Sequence, residues 1–250
     1  MASWSTKHKS VYFSAFVAFV VFVIALPAFL FFYKSPTCSD GKKNGSEKGI
    51  DCGGSCIRLC PADFGTPHIL WSYSMDIAPG VYNSLAYVEN PNQSVEVGSL
   101  DYVFKLYDDR GLLVAEKKGE TFVPAGRKFA VFAGGVRTGE RVPVKTTFEF
   151  NENIEWQKGN VPSSVRVLNI NLDQESEPKA EAKIINDSVG KTYASLNAFI
   201  ILYDENDNRL AFSKTLIDKI APGETKVIYF TWPKAFLRKA FRSEIIFVAQ

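Results

Sequence analysis

Residues 104–109 read Phe-Lys-Leu-Tyr-Asp-Asp, and residues 200–205 read Ile-Ile-Leu-Tyr-Asp-Glu. The stretches are 96 residues apart, and the same offset joins Val88-Glu89-Asn90 to Ile184-Ile185-Asn186. A proline–glycine turn recurs downstream, at Pro124-Ala125-Gly126 and at Ala221-Pro222-Gly223, where the offset drifts to 98 or 97. Each turn leads into a strand-like run, Lys128 to Phe132 and Glu224 to Phe230. An offset repeated at this many points is an internal repeat, and copies of about 90 residues suit a small sandwich domain.

The runs themselves read as strands. Residues 102–107 and 196–203 are rich in aromatic and β-branched side chains and end in polar turns, Asp108-Asp109-Arg110-Gly111 and Asp204 to Asn208. Val144 to Phe150 and Val165 to Leu172 alternate apolar with polar residues, as half-buried strands do. Alternation places Phe104 and Leu106 in a core and turns Lys105 and Tyr107 the other way, with Asp108 opening the turn. Pro233 to Phe241 breaks the pattern: Phe236, Leu237, Ala240 and Phe241 fall on one helical face among Lys234, Arg238, Lys239 and Arg242. It predicts a two-turn helix that closes the second core, with membrane-surface binding as the alternative. Twenty Phe and ten Tyr against two Met fit strand-rich cores. The expected fold is mainly β, with an N-terminal transmembrane helix, a small Cys-rich module and two tandem immunoglobulin/fibronectin-like antiparallel sandwiches.

At these residues the chain resembles the FxLYD domain family. Phe104, Leu106, Tyr107 and Asp108 carry the motif in the first copy. Leu202, Tyr203 and Asp204 carry it in the second, where Ile200 stands in place of Phe. The resemblance implies sandwich domains on extracytoplasmic prokaryotic proteins, and it brings no catalytic residue with it. These motif residues are therefore expected to be structural.

From Val11 to Tyr33 the chain carries no charged residue. About 20 apolar residues cross a hydrocarbon core of about 30 Å, and Tyr12 and Tyr33 stand where headgroups favour aromatic rings. The run outlasts the h-region of a cleaved signal peptide, which favours an uncleaved anchor over residues 11–33. Lys7 and Lys9 on one side and Lys34, Lys42, Lys43 and Lys48 on the other leave the orientation undecided by charge.

Next come Cys38, Cys52, Cys56 and Cys60, spaced x13, x3 and x3 in a segment rich in Gly, Asp, Asn and Ser. Such a segment builds no apolar core and needs a staple. Two disulfides in an oxidising compartment are expected, with the pairing open, ahead of a zinc site, for which Cys38 lacks a close mate. Asp40, Asn44, Glu47 and Asp51 are oxygen-bearing and could converge on a calcium ion, but their spacing matches no EF-hand loop, so turn capping is expected and no metal. The segment's pattern also resembles a short Cys-rich motif of surface and secreted proteins, which supports a location outside the cytoplasm.

The expected organisation is a cytoplasmic stub (1–10), a transmembrane helix (11–33), a stapled neck (34–66), a first sandwich (67–160) and a second (161–250). Two histidines, His8 and His68, leave little room for a His base or a multi-His metal site. A net charge of +2 argues against a nucleic-acid partner. Asp108, Asp109, Asp204, Glu205 and Asp207 sit in expected turns, where carboxylates cap local backbone. The chain is thus expected to be a non-enzymatic, single-pass surface scaffold, adhesion or binding protein with no cofactor. Its expected partners are the bilayer, through residues 11–33, and a protein of the cell envelope. A structural subunit of a secretion or appendage assembly is the alternative, and a metal- or redox-active Cys module stands third.

Overall fold

The computed structural model describes residues 4–33, 35–159 and 164–249. The boundary expected at 160/161 and the flanking Lys34 lie outside the described residues. The chain divides into two compact units, residues 1–56 and 57–250.

In the first unit, helix α1 spans Trp4–Phe32. It starts ahead of the apolar run because residues 5–10 contain no proline or glycine to stop it. Pro27 lies inside it, and Tyr33 N closes the last turn on Phe29 O at 2.8 Å. Its apolar stretch, Lys9–Phe32, is 24 residues long and 0% buried. At 1.5 Å per residue that is about 36 Å, enough for a hydrocarbon core of about 30 Å. A core helix of a soluble domain would be covered, so length, composition and exposure leave a membrane anchor or a signal sequence. Residues 35–56 follow as turns with one isolated bridge, Gly49 to Cys52.

The second unit is built of antiparallel strands: β1 (His68–Ala78), β2 (Val81–Glu89), β3 (Val95–Tyr107), β4 (Leu113–Val123), β5 (Lys128–Arg137), β6 (Lys145–Phe150), the two-residue β7 (Gln157–Lys158), β8 (Val165–Asp173), β9 (Lys179–Asn186), β10 (Tyr193–Tyr203), β11 (Arg209–Ile220), β12 (Thr225–Thr231) and β13 (Arg242–Ala249). They form the sheets β1-β2-β5, β4-β3-β6, β8-β9-β12 and β11-β10-β13, with β7 added to β3. Raising every strand number of the first two sheets by seven gives the other two.

Phe104 and Leu106 on β3 are fully buried, with Phe104 packed on Phe148 of β6, whereas Lys105 and Tyr107 are half-buried on the other face. On β10 alternation separates two cores instead. Leu196, Ala198, Ile200 and Leu202 face β9 and β12 inside the second sandwich, in one cluster with Ile184 and Phe230. Phe199, Ile201 and Tyr203 belong to the other cluster, which contains the first sandwich. Every residue of β10 from Leu196 to Tyr203 is buried, as in a strand covered on both faces. The covering sheet is β1-β2-β5: Phe212 meets Tyr73 and Phe132 edge-on at 6.2 and 6.1 Å, and Arg209 lies 5.1 Å over Trp71. The two sandwiches are thus fused face to face, and the sheets succeed one another as β4-β3-β6, β1-β2-β5, β11-β10-β13 and β8-β9-β12.

The segment expected to be a helix, Pro233 to Phe241, is a bent loop. Its conformation follows from its anchors. Trp232 is buried, with Nε1 donating to Phe212 O at 2.9 Å, and Ala240 N donates to Gln174 Oε1 at 2.6 Å. A segment this short forms a helix only where packing rewards one, and here side-chain and backbone ties at both ends reward a loop.

Candidate functional site

Three places concentrate polar chemistry: the cysteine module, the loops that follow the repeated motif, and the seam between the sandwiches.

Cys38 and Cys56 are bridged, with Cα atoms 5.6 Å apart. Cys52 and Cys60 are disulfide-bonded as well, and no free cysteine is present among the described residues. Cys38, Glu47 and Cys56 place ligand atoms within 4.8 Å of one another. The two sulfurs are bonded to each other, so neither is the thiolate a metal would need. Three of the four candidate calcium ligands offer their carboxylates to local donors, whereas Asn44 Oδ1 is buried with no hydrogen-bond partner among the described residues. Asp51 accepts Gly41 N through both oxygens, at 2.9 and 3.1 Å, and Glu47 accepts Asn44 N at 3.1 Å. Asp40 accepts Asn44 Nδ2 at 2.8 Å and Lys42 N at 2.9 Å, and the Asn44 bond leads in holding its carboxyl below the usual range. Gly54 is obligatory, since its φ is +62° and a Cβ there would stand 1.8 Å from Ser46 O. Denatured protein should show no thiol until a reductant is added and four afterwards. Cys38→Ser opens a bridge spanning 18 residues and should cost about 2–4 kcal/mol, read by chemical denaturation.

The motif aspartates do one job twice. Asp108 Oδ1 accepts Arg110 N at 3.0 Å and Leu112 N at 2.9 Å, and Asp204 Oδ1 accepts Asn206 N and Asn208 N at the same distances. Each carboxylate ties its own hairpin loop, as aspartate does in turns. Asp204 has a further partner in Arg238, and its side chain is only 3% exposed. Burial raises its pKa, but the bonds from Asn208 and Asn206 and the Arg238 charge outweigh that, so the carboxyl sits below its ordinary value. A depressed folded-state pKa gives stability that is present above the unfolded value and lost as pH falls through the folded one. Asp204→Asn should therefore flatten the acid side of the stability profile below the ordinary carboxylate pKa, measured by denaturation against pH.

Asn90 and Asn186 are the buried staples of the preceding turns. Asn90 Nδ2 donates to Val95 O and Pro124 O at 2.9 and 2.8 Å, and Asn186 Nδ2 to Lys191 O and Ile220 O at 2.8 and 3.2 Å. Sequence reasoning found these asparagines as repeat markers and missed their role. The signal was there: an asparagine held at a nearly fixed offset before a proline–glycine turn.

The seam also escaped sequence reasoning. Tyr87 of β2 donates its hydroxyl to Glu244 of β13 at 2.5 Å, and Tyr203 donates to the same carboxylate at 3.3 Å. The Arg242 guanidinium lies 3.8 Å from the Tyr203 ring centroid, and its Nε donates to Asp207 at 2.9 Å. Burial first, then the Glu244 charge, pushes the Tyr203 phenol up to about 12; burial and the Glu244 bond raise Tyr87 as well. Each phenol is thereby held in the protonated form that donates to the Glu244 carboxylate. Beside it opens a groove of about 440 Å³ lined by Tyr87, Arg127, Lys128, Val165 and Glu244. A second, of about 610 Å³, lies against β4-β3-β6 between Tyr102, Phe150, Asp101, Lys118 and Glu149. Gly119 belongs to its wall because a Cβ there would meet Tyr102 Oη at 2.6 Å. His68 is exposed at the start of β1.

These features define a mainly β chain of two fused antiparallel sandwiches behind an apolar helix and a disulfide-rich segment. No protein-family model matches the chain, and no curated protein does. Among solved structures, Bacteroides Uniformis beta-glucuronidase is similar over 73% of this chain, at 13% identity and a TM-score of 0.22. The chain spans 28% of that structure's length. A likeness this low carries no argument about fold or activity.

Proposed function

We propose that the chain is a single-pass, membrane-anchored, extracytoplasmic protein whose paired FxLYD-like sandwiches serve as a non-enzymatic scaffold or binding module of the cell envelope. The observation that carries this reading is the exposed apolar helix followed by a fully oxidised cysteine segment. Disulfides persist on the oxidising side of a membrane, which favours a cytoplasmic N-terminus and an outward C-terminal unit. The seam adds support for a rigid module, because its buried polar groups hold two domains in one orientation rather than face a reacting centre. The repeated carboxylates cap turns, and the paired phenols are joint donors.

Protease added to intact cells should remove residues 57–250 while an N-terminal tag survives; protection of the whole chain would reject the orientation. Affinity capture from detergent-solubilised membranes separates the two roles. A lone adhesin comes alone, whereas a structural subunit of a secretion or appendage assembly brings stoichiometric partners.

A further inference from the structure

Glu47 sets a carboxylate against a disulfide. Its Oε2 accepts Asn44 N at 3.1 Å while its own N donates to Asn44 O, also at 3.1 Å, so the side chain is fixed by its own loop. The other oxygen, Oε1, stands 3.5 Å from Cys56 Sγ. One carboxylate oxygen and both sulfurs of the Cys38–Cys56 bridge lie within 4.8 Å of one another. Asp51 of the same loop spends both of its oxygens on Gly41 N instead.

The two ends of the bridge differ in access. Cys38 is exposed, whereas Cys56 is only 4% exposed. A thiolate reductant therefore attacks the Cys38 sulfur. Its electron pair forms the new S–S bond there, the Cys38–Cys56 bond breaks, and a pair of electrons departs on Cys56 Sγ, leaving a mixed disulfide on Cys38. That step puts a negative charge on a buried sulfur 3.5 Å from a carboxylate. A cation beside a thiol lowers its pKa and speeds its departure, and a carboxylate does the reverse. The same carboxylate repels the incoming thiolate. Two unit charges this close interact strongly enough, even in water, to change a rate several-fold. We infer that Glu47 guards the Cys38–Cys56 bridge against thiol exchange and closes the exposed end of the staple to reductants. The role opposes a redox-active use of these cysteines and depends on neither the anchor nor the orientation proposed above.

The test follows reduction of the full chain in detergent, at a pH above the carboxylate range. Released thiols are trapped by alkylation and located by mass spectrometry at Cys38 and Cys56, with Cys52 and Cys60 as the internal comparison. The probes are 2-mercaptoethanesulfonate, 2-mercaptoethanol and cysteamine, with rates compared per thiolate. In the parent protein the Cys38–Cys56 bridge should open fastest with the cationic cysteamine and slowest with the anionic sulfonate. Glu47→Gln, which keeps an oxygen for Asn44 N, should open it several-fold faster with mercaptoethanol and narrow the spread between the charged reagents. Asp51→Asn removes a charge from the same loop without facing a sulfur and should keep the parent's spread. An unchanged rate in Glu47→Gln would overturn the proposal. So would an equal gain with all three thiols, which is what a merely loosened loop gives.

Discussion

Replacing Ile201 by lysine is expected to part the two sandwiches and to destabilise the protein by about 3–5 kcal/mol, because the covered seam takes the ammonium out of water and its cross-strand neighbour Glu244 is already held by Tyr87 and Tyr203. Ile201 is 1% exposed on the β10 face that meets β1-β2-β5. The equivalent residue of the first copy is Lys105, which forms an ion pair with Glu149 at 2.7 Å on an outward face. Lysine therefore fits this strand and this fold, and only the seam objects to it. Calorimetry should show one transition for the parent protein and two for the variant, as each sandwich melts by itself. An unchanged single transition would mean that the seam contributes little.

Phe104→Ala should cost a similar amount, about 3–5 kcal/mol, by emptying the centre of the first core. Phe104 is fully buried, with Phe148 at 4.8 Å and Tyr102 at 5.6 Å. Lys105→Ala, one residue on, removes a partly exposed ion pair and should cost less than about 1 kcal/mol. Denaturant titration of the two variants measures the alternation of β3 directly, and comparable losses would contradict it.

How much of this could be read beforehand depended on whether the physics was local. The burial of Phe104 and Leu106 follows from period-two alternation, and the turn at Asp108 follows from a short carboxylate beside its own backbone. Loop 233–241 misled because its apolar spacing is helical, whereas its conformation is set by Phe212, Gln174 and Tyr203, all distant in sequence. The cysteine segment showed its need for a staple but not the Cys38–Cys56 pairing, since four thiols allow three connectivities. The seam left one trace. Where the first copy alternates as Asp101-Tyr-Val-Phe-Lys105, the second runs Asn197-Ala-Phe-Ile-Ile201, so only its strand lacks a face for water.

That contrast also decides which faces of the two sandwiches meet. The seam's contributors on the first sandwich are Trp71, Tyr73, Leu85, Tyr87 and Phe132. The second sandwich has Asn169, Asn171, Glu181, Lys183 and Tyr229 at the same register positions, all open to solvent. The first sandwich in turn offers Asp101, Val103 and Lys105 where the second uses Asn197, Phe199 and Ile201. Each copy is therefore adhesive on one side and wetted on the other. Pairing the two dry faces buries both and turns both wetted faces outward, so the seam joins unlike sides of two like folds.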